Sequence, residues 1–209
     1  MKVAIIGASG FIGSAILNEA LNRGHEVTAI VRHPEKITIK NERLTIKQGN
    51  VANEAEVVAS VAGNEAVISA YSAHDTNTYV QAITAIINGI KQAGIKRLIA
   101  VSGAGSLEVA PGLQLLDTPD FPAQWKEGAT ATRNAFNIIK QDTDLEWTVV
   151  SPAAMIEPGE RTGTFRLGKD QLLTNDKGES RISTADYAIA LLDELERPRH
   201  IRQRFTVAY

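Results

Sequence analysis

Apolar positions along this chain follow two rhythms. Short runs dominated by Val, Ile, Leu and Ala occupy Met1 to Ile6, Glu26 to Val31, Glu65 to Ser69, Arg97 to Val101 and Leu145 to Val150. Such near-continuous runs mark strands buried on both faces. Leu44 to Gln48 alternates and reads as a further strand, and Gln203 to Val207 as the last. Between them lie stretches with a helical period. The first ends at Arg23, and Asn53 caps the next, which runs to about Val61. Thr76 to Ala93 places Val80, Ile83, Ile86, Ile87 and Ile90 on one side. Ala123 to Gln141 follows, then a helix from about Ala185 to Leu195 with Ser183 or Thr184 as its cap. Gly24 and Gly94 stop two of these helices.

Strands alternating with helices at this spacing predict an α/β fold: a doubly wound, Rossmann-type parallel sheet. A single domain over residues 1–209 is expected, with a small C-terminal elaboration on the substrate side. Two segments break the rhythm. Gly103 to Pro122, with Pro111, Pro119 and Pro122, and Glu157 to Gly168 both leave from strand tips. Loops of such length are commonly functional, so both are expected to wall a pocket.

The first strand runs into Gly7-Ala8-Ser9-Gly10-Phe11-Ile12-Gly13, which opens the first helix. Strand, glycine turn, helix and strand in about thirty residues is the context a dinucleotide-binding motif requires. Gly7 turns the chain sharply, Gly10 lets a pyrophosphate approach the backbone, and Gly13 lets the helix pack closely. N–H groups at the helix start then face the phosphates. At the tip of the second strand, where a carboxylate would hold the ribose hydroxyl of NAD, stands Arg32. Glu35 lies beyond Pro34 and belongs to the next turn. Arg32 therefore points to NADP(H), with NAD(H) the second candidate; its guanidinium also suits stacking on adenine.

Composition removes several other classes. A net charge of −2 argues against a nucleic-acid surface. No apolar run approaches the roughly 20 residues of a membrane span. A strand beginning at residue 2 leaves no room for a secretory leader, so a cytoplasmic protein without a membrane partner is expected. The absence of cysteine removes disulfides, thiolate metal sites and cysteine nucleophiles. His25, His33, His74 and His200 lack metal-ligand spacing. Ser102-Gly-Ala-Gly-Ser106 is not a nucleophile elbow, which needs Ser between the glycines. The basic stretch Arg197 to Arg204 reads as a solvated helix end.

The glycine turn, Val-Arg-His-Pro-Glu-Lys (31 to 36) and Ser151-Pro152-Ala153 resemble the atypical branch of the short-chain dehydrogenase/reductases. Within it the chain is most similar to the group holding biliverdin-IXβ reductase/flavin reductase and bacterial NADH-flavin reductase-like proteins. The likeness spans the whole chain, including Thr162-Gly163 and the Arg-Phe-Thr-Val ending. It implies cofactor contacts at successive strand tips. These are Gly7, Ser9, Gly10, Phe11, Ile12 and Gly13; Arg32; Asn50 and Val51; Ser69, Ala70 and Tyr71; Val101 and Ser102; and Ser151, Pro152 and Ala153. It also implies reductase chemistry on a small-molecule acceptor. Monomer and homodimer are both compatible with the sequence.

One departure decides the chemistry. The main branch uses Tyr-x-x-x-Lys to exchange a proton with substrate oxygen. Here Trp125 stands near the Tyr position and Ala129 near the Lys. Tyr79 and Tyr187 are followed four residues later by Ile83 and Leu191. The His that follows the Pro in biliverdin-IXβ reductase is replaced by Ala153 and Ala154. Reducing an isolated ketone makes an alkoxide that needs a positioned acid. Flavins and quinones accept hydride into a delocalised system and require mainly orientation. The expected function is therefore an NAD(P)H-dependent reductase of a flavin, quinone or similar conjugated acceptor. The alternative is a non-catalytic NADP sensor acting through a protein partner, like the nitrogen-metabolite-repressor type. Ser102 either donates a hydrogen bond to the acceptor, as the catalytic candidate, or satisfies its own turn. Phe121 and Trp125 either stack on a planar ring or anchor their loop, and Met155 completes the expected acceptor pocket.

Overall fold

In the computed structural model, which describes every residue except His74, an eight-stranded sheet forms the centre. Its strands are β1 (Lys2–Ile6), β2 (Glu26–Val31), β3 (Leu44–Gln48), β4 (Ala66–Ser69), β5 (Arg97–Val101), β8 (Glu146–Pro152), β10 (Arg166–Gly168) and β12 (Gln203–Ala208). Two short pairs lie outside it: β6 (Glu108–Ala110) with β7 (Leu113–Gln114), and β9 (Met155–Glu157) with β11 (Arg181–Ser183). The helices are α1 (Phe11–Asn22), α2 (Glu54–Val61), α3 (Thr76–Gln92), α4 (Ala123–Ile139) and α5 (Thr184–Glu196).

The spatial order is β10-β12-β8-β5-β4-β1-β2-β3. All neighbours are parallel except β10, which runs antiparallel to β12. The chain reverses direction across the sheet between β1 and β4, the point where ligands bind in open α/β sheets. Two apolar layers follow from the strand alternation. Val3, Ile5, Ile68, Val150 and Phe205 pack under α1 and α5. Ala4, Ile6, Val67, Leu98 and Val149 pack under α2, α3 and α4. Ser183 is the cap of α5, accepting from Asp186 N at 3.0 Å, and Asn53 caps α2 by accepting from Glu56 N. Among the described residues no helix is long and apolar enough to cross a membrane.

The expected strand over 145–150 extends instead to Pro152, because Ser151 and Pro152 pair in register with Thr206 and Val207 of β12. Pro152 thus closes the strand, paired with Val207. The irregular segment 103–122 contains the β6-β7 pair and a single 3-10 turn. The segment 157–168 is pinned to the α1/α5 layer. Arg161 donates to both Glu19 carboxylate oxygens at 2.9 and 2.8 Å. Thr162 Oγ1 and Gly163 N donate to Asp186 at 2.5 and 2.8 Å.

Candidate cofactor and acceptor site

The glycine turn sits between β1 and α1 at the reversal point. Gly7 adopts φ +77°, and a Cβ there would lie 2.6 Å from the Ala70 carbonyl oxygen. A Cβ on Gly13 would lie 2.0 Å from the carbonyl oxygen of Gly7. Both glycines are therefore demanded by the protein's own backbone. Gly10 differs. It is exposed, its φ of −79° and ψ of 176° suit any L residue, and a Cβ would meet only Gly7 O, at 3.2 Å. The fold therefore constrains this position far less than it constrains Gly7 or Gly13, and a bare backbone here leaves room for a phosphate to approach. Gly10 is also the N-cap of α1 and offers no side-chain acceptor to the free amides of the first turn.

Two adjoining clefts run along the C-terminal strand tips. The first, of about 280 Å³, is lined by Gly7, Ser9, Gly10, Arg32, Val51, Ala70 and Tyr71, together with His33 and Lys36. A 3-10 turn over Pro34–Lys36, started by Pro34, brings Lys36 to this wall. The sequence reading missed His33 and Lys36; the only signal was the proline directly after the strand tip. Burial pushes the Tyr71 phenol up, with the nearby Arg32 opposing, so at neutral pH it is an uncharged donor. The cradle at Gly10 and the cations at the β2 tip fit a phosphorylated dinucleotide. Arg32 and Lys36 would hold a ribose phosphate, and the α1 amides a pyrophosphate.

The second cleft, of about 750 Å³, meets the first at Ser72 and lies beyond β5 and β8. Its walls include Ile12, Ser102, Phe121, Trp125, Pro152, Ala153 and Met155. The volume lies within the range of sites for drug-sized ligands. Trp125 is 51% and Met155 43% exposed, so both face the cleft rather than the core. Ser102 is half-buried and its amide donates to Val150 O at 2.9 Å. Glycines of the β5 loop press against α4: a Cβ on Gly105 would come within 2.8 Å of Ala129 Cβ, and one on Gly103 within 2.9 Å of Thr132 Oγ1. The loop thus packs directly on Ala129, the position near which the main branch has its lysine. Glu127 ties α4 to the start of α3, accepting from Thr76 N at 3.0 Å and Thr76 Oγ1 at 2.8 Å.

Several expected contacts are not brought to either cleft. Ser69 and Ser151 are buried inside β4 and β8. Ser151 is covered because β8 continues two residues beyond the expected strand end. Phe11 is exposed at the start of α1, and Gly13 is buried against Gly7. Asn50 is held by its own turn, its amide donating to Glu56 and its side chain accepting from Ala52 N. Val101 packs inward on the α1/α5 layer. The segment 157–168, expected as a wall, lines neither cleft, since Glu19 and Asp186 hold it on the other face of the sheet. Ala154, Met155 and Ile156 form that wall instead. His74 lies outside the described residues.

A family model described as NAD(P)H-binding matches residues 7–195. The chain belongs to this NAD(P)H-binding family. The uncharacterized protein YwnB of Bacillus subtilis is 44% identical, over 99% of this chain and 98% of its own length. The crystal structure of a “putative epimerase” from Bacteroides thetaiotaomicron is similar with a TM-score of 0.96 and 47% identity, covering 100% of this chain and 96% of that one. A “putative NADH-flavin reductase” from Streptococcus pneumoniae TIGR4 has a TM-score of 0.84 and 38% identity, covering 100% and 99%. Family and neighbours bear out the likeness to the atypical short-chain dehydrogenase/reductase, flavin reductase-like group. They equally bear out the Rossmann-type sheet.

Proposed function

We propose that this NAD(P)H-binding protein is an NADPH-dependent oxidoreductase whose acceptor is a flavin, quinone or similarly conjugated ring. The observation that carries the reading is one groove with two chemically distinct ends. Arg32, His33 and Lys36 stand beside the glycine turn, while Phe121, Trp125 and Met155 line the far end. Bound along the groove, NADPH supplies a hydride. The chain's own residues do the rest. Arg32 takes the 2′-phosphate through charge-assisted hydrogen bonds, with Lys36 as the second cation. Gly7, Ser9 and Gly10 admit the pyrophosphate, and Val51, Ala70 and Tyr71 wall the dinucleotide's path.

At the acceptor end Trp125 and Phe121 offer aromatic faces to a planar ring, and Met155 adapts to its edge. Pro152 and Ala153 keep the β8 tip small enough for the two ligands to meet. Ser102 is the polar contact of this end. No tyrosine or lysine stands among the described residues of the acceptor cleft, so no side chain there performs the proton exchange of the main branch. A conjugated acceptor dispenses with that exchange, because its reduced anion is weakly basic enough for water to protonate. The same absence disfavours an epimerase reading, since nucleotide-sugar relatives use the missing tyrosine.

NADPH consumption in the presence of flavins, quinones and aldehydes tests the proposal. Flavins or quinones are expected to be reduced well ahead of aldehydes. Tight NADPH binding with no oxidation by any acceptor would instead support the sensor reading.

A further inference from the structure

The charges along the groove are segregated. Its basic side chains, Arg32, His33 and Lys36, all stand at the β2 end. Among the described residues of the acceptor end, the charged ones are Asp120 and Glu127, both carboxylates. Asp120 is exposed, three residues before the start of α4. Glu127 is held through Thr76, whose amide and hydroxyl both donate to it. The start of α4 contributes the opposing sign, but a helix N-terminus amounts to only about half a charge. Two whole carboxylates outweigh it.

We infer that the acceptor carries no phosphate, sulfonate or carboxylate at this end: it is an uncharged planar ring, such as an unphosphorylated isoalloxazine or a simple quinone. The inference rests on the reductase reading above and narrows its substrate class. An anionic acceptor would enter a cleft whose described charged side chains are both carboxylates, Asp120 and Glu127. No described cation of the acceptor cleft remains to offset this. The apolar surfaces of Trp125, Phe121 and Met155 serve a neutral ring equally well with or without such a group, so charge decides.

Riboflavin and FMN share the ring and side chain and differ by a terminal phosphate, which isolates the effect. The full-length protein saturated with NADP⁺ is titrated with each, following flavin fluorescence, at low ionic strength. Menadione and a naphthoquinone sulfonate, followed by quenching of tryptophan fluorescence, form a second pair. The neutral member of each pair is expected to bind about five- to tenfold tighter. The gap should shrink toward physiological salt, where the Debye length falls to about 8 Å. Asp120→Lys should narrow or reverse the order. Equal or tighter binding of the anionic members by the unmodified protein overturns the inference and leaves the reductase reading standing. Binding of no member of either pair overturns that reading and the inference together.

Discussion

Separate Ala replacements at Gly10 and Gly13 distinguish what the glycine turn does for the fold from what it does for a ligand. At Gly13 a Cβ would stand 2.0 Å from Gly7 O and 2.8 Å from Gly7 C, both backbone atoms with little freedom to retreat. Overpacking of this kind costs about 1–3 kcal/mol. The better helix propensity of Ala returns at most about 1 kcal/mol. Contacts this short place the cost at the upper end, so a net loss of about 2 kcal/mol is expected, or about 4–8 °C in melting temperature for a chain of this size. At Gly10 the only near neighbour is Gly7 O at 3.2 Å and the backbone is unstrained. Exchanging a Gly cap for Ala costs about 1 kcal/mol, or about 2–4 °C.

Ligand-induced stabilisation behaves differently. NADP⁺ at a hundred times its Kd should stabilise the unmodified protein by about 2.7 kcal/mol, roughly 5–11 °C. If the new Cβ on Gly10 weakens binding about thirtyfold, only about 0.9 kcal/mol of that remains. Thermal melts with and without NADP⁺, with Kd from calorimetry, read both effects. Gly10→Ala should melt near the unmodified protein but lose most of its ligand shift. A full ligand shift in that variant would refute the assignment of Gly10 to pyrophosphate approach. An undiminished melting temperature in Gly13→Ala would refute the steric argument.

Arg32→Ala should weaken NADPH binding by about 1.5–3 kcal/mol and leave NADH nearly unchanged; equal losses in calorimetry would contradict the 2′-phosphate contact. Trp125→Ala should raise the KM for a flavin or quinone about five- to thirtyfold while the Kd of NADPH moves by less than about twofold, as expected for a lost stacking face of about 1–2 kcal/mol. Both ligands weakening together in steady-state and binding assays would place Trp125 elsewhere. A hydrogen bond from Arg161, helped by Arg23 and opposed by burial, holds the Glu19 carboxyl below the usual carboxylate range. A lowered folded-state pKa adds stability above the unfolded value and loses it as pH falls through the folded one. Glu19→Gln should therefore destabilise at neutral pH, with the difference from the unmodified protein shrinking as pH falls below the usual carboxylate range in denaturant titrations. A pH-independent difference would remove the ion pair from the account.

The central sheet was legible because its signals are local. The buried runs and the helix of Thr76–Gln92 carry their period within a few turns of chain. The glycine turn was legible because its spacing and its place between strands coincide. What escaped the sequence depends on partners far along the chain. The fate of segment 157–168 is set by the Arg161–Glu19 contact, 142 residues apart. Ser151 looked like a strand tip until its pairing with Thr206 extended β8 past it. The β9-β11 pair joins two runs of three residues each, too short for an alternating pattern to be read. Lys36 reaches the first cleft through a turn whose local sequence announces only a proline. The sequence places Trp125 and Phe121 around the start of α4, but only packing decides that both face the second cleft.

A crystal structure with NADP⁺ and an oxidised flavin or quinone tests the two-ended groove most directly. The account predicts the 2′-phosphate on Arg32 and Lys36, the pyrophosphate against Gly10, and the acceptor ring in van der Waals contact with Trp125 or Met155 beyond β5 and β8. An acceptor ring bound away from Phe121, Trp125 and Met155, or a dinucleotide that leaves Arg32 and Gly10 untouched, would contradict it.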